Sequence, residues 1–374
     1  MPMRPSPPRR TLSRRGLLAA AGAAAAVPLL GACGRDIDTG DPPAPTGSDG
    51  KVHITIFAFL GNRLADMPKA LAEDYMSRHD NVEIEIYEDS NAVGYPKMLA
   101  AKQATPDRPL VNMGFFNSQI SAQGDLDEMW NRLDYADLSN AADISDTFRR
   151  ANQNGIGIGA DQIGVTYNTS NVASPPTSWA DLWDDGYRGR VTLFDYWWQV
   201  VFMAARLNGG SLTDLEPGWQ LWREKAGNIR TLVTSNPEWQ QVLSDGTADI
   251  TSCWNGTSLQ FKDDGAPVDY VPPSEGAIAV PVYLQTVNGN TQAQQEVCVD
   301  LINEMLSPRW CQLWAETAVQ APANPAVALP AHLADLPGFQ QANVDKLISV
   351  DWATVAEQIA DWRNRWDAEI KANI

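Results

Sequence analysis

The segment Cys253-Trp254-Asn255-Gly256 sets an indole at the end of an apolar run, Ala248–Cys253, that reads as a strand. The Asn-Gly pair is a turn signal, so the sequence predicts an exposed turn that holds Trp254 at the surface. An indole face there can stack on a planar molecule or hold a cation, worth about 0.5–2 kcal/mol. A second cluster, Phe194-Asp195-Tyr196-Trp197-Trp198-Gln199, lies where a strand gives way to a helix. Open parallel sheets receive their ligands at such positions. Both clusters suit recognition. Bond-making chemistry has little support, because the chain lacks G-x-S-x-G and H-E-x-x-H patterns. His53, His79 and His332 are far apart and read as surface or packing residues. The acid pairs Asp184/Asp185 and Asp263/Asp264 sit in turn-like contexts and read as solvated, so a two-carboxylate hydrolase is left open only by count. The sequence predicts no enzyme, no cofactor and no metal ligand set.

The elements that must position these residues follow from periodicity. Val52–Phe57 and Val82–Tyr87 alternate as strands do, and Leu64, Met67, Leu71 and Tyr75 between them fall at helical spacing. That β-α-β opening argues for a largely parallel sheet with flanking helices. Arg108–Phe116 reads as a further buried strand. Gly155–Gly159, "GIGIG", lacks the spacing and following helix of a phosphate loop and reads as a flexible crossing. After it the pattern restarts: Ile163–Asn168 as strand, Thr177–Trp183 as a helix capped by Thr177 or Ser178, Arg190–Asp195 as strand. A helix over Val200–Leu207 is stopped by Asn208-Gly209-Gly210. Trp352, Val355, Ile359, Trp362 and Trp366 form a helical stripe that reads as core packing, and Trp179 and Trp183 likewise read as structural.

The amino terminus bounds where the chain works. A basic region with Arg14-Arg15 precedes an uncharged Ala- and Gly-rich run, Gly16–Ala32, that ends at Cys33. This is the order of an export signal. Ser13–Leu18 resembles a twin-arginine signal, and Leu29–Cys33 resembles a bacterial lipobox, which makes Cys33 the lipidated residue. Gly34–Gly50, rich in Pro, Gly, Asp and Ser, reads as a flexible tether. Residues 1–33 carry five arginines and no acid, so their removal moves the net charge from −18 to −23. Such a body does not seek nucleic acid by electrostatics. An oxidising compartment permits a disulfide. Cys298–Cys311 is the available pairing, with packed free thiols the alternative.

Three stretches carry a family resemblance. Gly155–Asp195 ("GIGIGADQIGVTYNTSNVASPPTSWADLWDDGYRGRVTLFD"), Ala248–Ala279 ("ADITSCWNGTSLQFKDDGAPVDYVPPSEGAIA") and Ile302–Val327 resemble bacterial ABC-transporter substrate-binding proteins of the spermidine/putrescine type, within extracellular solute-binding family 1. The resemblance runs from about Val52 to the carboxyl terminus. It implies an α/β, two-lobed periplasmic-binding-protein fold of type II, each lobe a mainly parallel sheet flanked by helices, with a solute cleft between. Lobe 1 would comprise residues 51–160 and 281–322, and lobe 2 residues 161–280 and 323–374. Crossings would fall near Gly159–Ile163, Ala277–Val282 and Pro322–Asn324.

The same resemblance implies the ligand wall. Trp254 heads it, joined by Asp195, Tyr196, Trp197 and Gln199 from lobe 2 and by Phe59, Asn62, Phe115, Phe116, Tyr283 and Gln320 from lobe 1. Tyr196, Gln199 and Val282 stand where the polyamine binders carry carboxylates, Val280 replaces a tryptophan and Gln320 a tyrosine. An ammonium group in a dry pocket needs a paired anion, so a less charged, aromatic or singly cationic solute suits these residues better than a polyamine. The expected function is an exported, lipid-anchored, monomeric receptor that hands a small solute to an ABC permease and its ATPase. The alternatives are a ferric-ion carrier of related fold, disfavoured by the lack of an adjacent tyrosine pair, and an exported hydrolase.

Overall fold

A computed structural model describes residues 50–61 and 63–374. The signal, the lipobox with Cys33, most of the tether and Asn62 lie outside the described residues.

The β-α-β opening forms as its periodicity dictates. Strand β1 (Val52–Phe59) and strand β2 (Val82–Asp89) pair in parallel from Val52 opposite Val82 to Phe59 opposite Asp89. Helix α1 (Asp66–Arg78) between them buries Met67, Leu71 and Tyr75, one stripe at spacings of four. Leu64 belongs to the turn before it. Helix α2 (Asn91–Ala104), strand β3 (Met113–Asn117) and helix α3 (Ser118–Leu126) complete the first run. β3 starts five residues later than the apolar pattern suggests, because Pro109 lacks an amide for a ladder.

Strand β4 (Ile156–Asn168) is a single thirteen-residue strand that takes in all of "GIGIG" but Gly155, so the predicted flexible crossing is hydrogen-bonded strand. Beyond it come β5 (Val191–Phe194), α4 (Trp198–Leu207), α5 (Glu216–Lys225), β6 (Ile229–Val233), α6 (Asn236–Ser244), β7 (Ile250–Trp254), α7 (Asn255–Asp263), β8 (Val268–Val271) and β9 (Ile278–Thr286). The chain ends in α8 (Gln292–Met305), α9 (Pro308–Ala318), β10 (Ala321–Pro322), the short α10 (Ala331–Ala334) and α11 (Gln341–Val344), and α12 (Trp352–Arg365).

One sheet runs in the order β2-β1-β3-β9-β4-β7-β5-β6, with β8 and β10 also on β4. Its two outer parts are parallel, β1 with β2 and β3 on one side and β5 with β6 and β7 on the other. The antiparallel pair β4–β9 joins them, Ala160 opposite Pro281 and Ile163 opposite Ile278, and β10 adds Pro322 opposite Gly159. The apolar core divides at this junction. Ile158, Ala160, Val282 and Leu284 pack with α1, α8 and α9, whereas Ile163, Val165 and Ile278 pack with α4, α5, α6 and α12. The result is two lobes on a shared pair of strands, which touch where α12 lies against α3.

Several local expectations are corrected. Trp179–Trp183 is a 3-10 turn rather than an α-helix, started by Ser178 in a capping box with Asp181. The eight residues between Pro176 and the Asp185-Gly186 turn, five of them in the 3-10 turn, leave little room for an α-helix. Asn255-Gly256 does not make an exposed turn: it opens helix α7, with Asn255 buried. Cys253, Cys298 and Cys311 are free, buried thiols, so the disulfide does not form. The carboxyl-terminal stripe packs as core, with Trp198 5.8 Å from Trp352 and 5.6 Å from Trp362.

Candidate functional site

A cavity of about 340 Å³ lies between the lobes. Arg63 and Leu64 from the β1–α1 turn and Glu316–Gln320 from the end of α9 form its lobe 1 side. Gly256, Thr257, Leu259, Gln260 and Asp263, one face of α7, form the other, and Asp161 of β4 lies between them. Asp161 is the one residue of β4 that is not buried. Its Oδ1 accepts from the Gln162 amide at 2.7 Å and from the Gly256 amide, at the positive start of α7, at 3.3 Å. Desolvation between the lobes raises its pKa to about 6 against those two hydrogen bonds. Two turns that line the cavity hold non-glycine residues in the left-handed region, Arg63 at φ 59° and Val319 at φ 53°. Such backbone costs roughly 1–2 kcal/mol per residue, and Val319 ends α9 where glycine is the usual choice.

The raised pKa makes a stability prediction. An acid whose folded pKa lies above its unfolded value binds more protons when folded, so its contribution to stability falls as pH rises. The window runs from the ordinary aspartate value of 3.8 to about 6. Asp161→Asn removes that loss. Urea unfolding should find the variant gaining on the wild type between pH 4 and pH 7. A constant difference across that range would show that the folded carboxyl titrates normally.

The residues expected to form an aromatic wall are placed differently from one another. Trp254 ends β7 half-buried, its ring edge-on to Trp197 at 4.6 Å. Trp197 is buried behind it, donates from Nε1 to Ser252 Oγ at 3.0 Å and meets Trp239 at 5.6 Å. Gln199 is buried with its Oε1 unpartnered among the described residues. Tyr196, at φ 64°, donates its hydroxyl to Ile359 O of α12 at 2.7 Å, and Arg363 lies 5.1 Å over its ring. Burial pushes its phenol well above the ordinary range. Asp195 pairs with Lys371 at 2.6 Å and Arg363 at 3.8 Å. Tyr196 and Asp195 thus tie lobe 2 to its own carboxyl-terminal segment.

On the lobe 1 side Phe115 and Phe116 are fully buried, the first stacked on Trp314 at 5.0 Å and the second on Phe57 at 5.3 Å. They are core rings. Phe59 is half-buried, edge-on to Phe57 at 6.2 Å. Tyr283 is buried under the guanidinium of Arg150 at 5.1 Å. Gln320 lines the cavity, its Oε1 accepting from Trp314 Nε1 at 3.1 Å. Of the described residues of the proposed wall, Gln320 alone lines this cavity. Asp161 was missed, although a lone acid inside the glycine-rich apolar run "GIGIGADQIGV" was a legible signal.

His79, just past the end of α1, and Asp300 and Glu304 of α8 bring ligand atoms within 4.8 Å of one another. Arg78 already binds both Glu304 oxygens at 3.0 and 2.7 Å, and Tyr75 donates to Asp300 at 2.8 Å, which accounts for the cluster as an ion-pair network.

With two lobes, a shared crossing pair and a cavity between them, the comparisons with known proteins are specific. The family model described as "Bacterial extracellular solute-binding protein" matches residues 70–341. The chain belongs to that family. The spermidine/putrescine-binding periplasmic protein of Escherichia coli is 27% identical over 247 residues, 61% of this chain and 66% of that protein. Its counterpart in Salmonella typhimurium is 30% identical over 172 residues, 42% of this chain and 46% of that one. The match to the E. coli relative thus spans just under two thirds of its length. Among solved structures, an ABC transporter protein from Clostridium perfringens has a TM-score of 0.73 at 17% identity, covering 85% of this chain and 99% of that one. The spermidine/putrescine ABC transporter substrate-binding protein from Streptococcus pneumoniae has 0.67 at 19%, covering 83% and 99%. The fold is the two-lobed α/β periplasmic-binding-protein fold. Among the described residues no helix is long and apolar enough to cross a membrane.

Proposed function

We propose that this solute-binding protein is the exported, lipid-anchored receptor of an ABC importer, capturing a small organic solute by lobe closure and delivering it to a permease and its ATPase. One observation carries the reading: a cavity bounded by α7 of one lobe and by the β1–α1 turn and α9 of the other. A solute seated there touches both lobes at once and so binds the closed form more tightly than the open one, which is all a carrier needs to shift the population. The order of basic region, apolar run and Cys33 supports export and anchoring. The receptor acts as a monomer and forms no covalent bond with its cargo. Relatives named for spermidine and putrescine support an amine-like cargo.

The test is a titration of the mature protein with amines, amino acids, sugars, thiamine-like compounds and metal ions, followed by tryptophan fluorescence and thermal melting. At least one class should shift the emission and raise the melting temperature. A flat response to all of them would sink the receptor reading.

A further inference from the structure

Within the interlobe cavity the charges do not balance. Its described lining carries the acids Asp161, Asp263 and Glu316 and one cation, Arg63. Arg63 is exposed and already donates to Asp66 at 3.0 Å. Asp263 is exposed and solvated, and Glu316 accepts from the side-chain amide of Gln312 at 2.9 Å. Asp161 differs from both. It is held between the lobes, its Oδ1 takes two backbone amides, and its Oδ2 has no partner among the described residues. No cationic group of the described residues lies within ion-pairing distance of it, and only burial and two backbone hydrogen bonds shift its pKa.

A second observation points the same way. Thr317, Ala318 and Val319, the carboxyl-terminal end of α9, also line the cavity. The last carbonyls of a helix carry the negative end of its dipole and lack intrahelical donors. The buried amide of Gln320 is a contact of the other kind, its nitrogen unpartnered among the described residues and suited to an oxygen of the solute rather than to its cation. A carboxylate without a counter-ion and a helix end of negative sign converge on one small volume.

We propose that Asp161 is the counter-charge for a solute carrying one ammonium or quaternary ammonium group, and that it sets the receptor's charge selectivity. The proposal rests on the solute-receptor reading above and adds the chemical class. One half-buried carboxylate matches one positive charge. A second charge on the same molecule would find only the exposed Asp263 or the amide-engaged Glu316, so a diamine gains little over a monoamine. Asp161 lies on the strand shared by the lobes and contacts α7 while the α9 end faces it, so a cation bound there favours closure.

The experiment uses three solutes of one chain length, 1,4-butanediol, 4-amino-1-butanol and putrescine, with choline and its neutral analogue 3,3-dimethyl-1-butanol. Calorimetry and thermal melting are run on the wild type and on Asp161→Asn. The wild type should bind the amino alcohol or choline, ignore the neutral analogue and gain nothing further from putrescine. Asp161→Asn should lose roughly tenfold or more in affinity, as expected when a charge-assisted contact is removed, while melting no lower than the wild type at pH 7. Choline keeps its charge at every pH, so its wild-type affinity should fall as pH drops through about 6 while Asp161 takes up its proton. Around that carboxyl the groups that also carry charge are Asp263 of α7, Glu316 of α9 and Arg63 of the β1–α1 turn, with Tyr270 and Cys253 neutral in this range. Binding of cations that is equal in the two proteins, or a preference for the neutral analogues, overturns the assignment while leaving a solute receptor. If the wild type responds to none of these and to none of the wider panel, the receptor reading itself falls and takes this inference with it.

Discussion

Trp179→Ala is expected to cost about 3–5 kcal/mol of unfolding free energy, the range for deleting a buried aromatic side chain. Trp179 is completely buried, and its indole Nε1 donates to Gly276 O at 2.9 Å across ninety-seven residues of chain. Gly276 itself has no room for a side chain. Its φ of 103° suits glycine, and a Cβ there would stand 2.1 Å from Lys346 O. The 3-10 turn that carries Trp179 therefore closes the region where β9 enters the sheet, and alanine would leave both a void and a carbonyl without its donor. Trp183, four residues on, is half-buried and meets Trp222 edge-on at 6.1 Å. Its alanine variant should lose much less. Urea unfolding of the two variants checks the ranking, and equal losses would mean that Trp179 does not hold the turn to the sheet.

The contrast explains what the sequence made legible. Strong two- and four-residue periodicities survive folding, so β1, α1, β2 and the stripe of α12 lie where alternation and spacing put them. The aromatic richness of Thr177–Trp183 was legible as core, but its 3-10 turn was not, since the eight residues between Pro176 and the Asp185-Gly186 turn have the composition of a helix start without the length. Asn255-Gly256 failed for another reason. Local turn preference was overruled by the helix that Ser258 and Phe261 anchor against lobe 2.

The site was harder to read. Resemblance marks positions along the chain, whereas exposure is decided by what packs above them. Phe115 and Phe116 follow one another in β3, and both were expected to face the solute. In a strand successive side chains leave on opposite faces, and here each face is covered: Trp314 lies over Phe115, and Phe57 and Trp130 over Phe116. The acid that matters for charge, Asp161, lies on no helix end or turn, and only the pairing of β4 with β9 brings it to the junction of the lobes.

Trp254→Ala is expected to weaken solute binding by about 10–100-fold, from the lost stacking or cation contact together with lost apolar cover. The argument rests on a difference between two adjoining rings. Trp197 is buried, hydrogen-bonded to Ser252 and wedged between Trp239 and Trp254, so its indole belongs to the core of lobe 2. Trp254 meets that ring edge-on and stays half-buried, outside the cavity lining but at the carboxyl end of β7 and directly before the helix that lines the cavity. Trp197→Ala should therefore damage stability first and affinity only through it. Trp254→Ala should do the reverse, and Trp254→Phe should recover part of the affinity because a flat face remains. The two effects separate when melting temperature and dissociation constant are measured on the same variants with whichever solute binds the wild type. Full affinity in Trp254→Ala would place the solute away from β7. It would leave the cavity between Asp161 and the end of α9 as the whole of the site, with no aromatic wall at all.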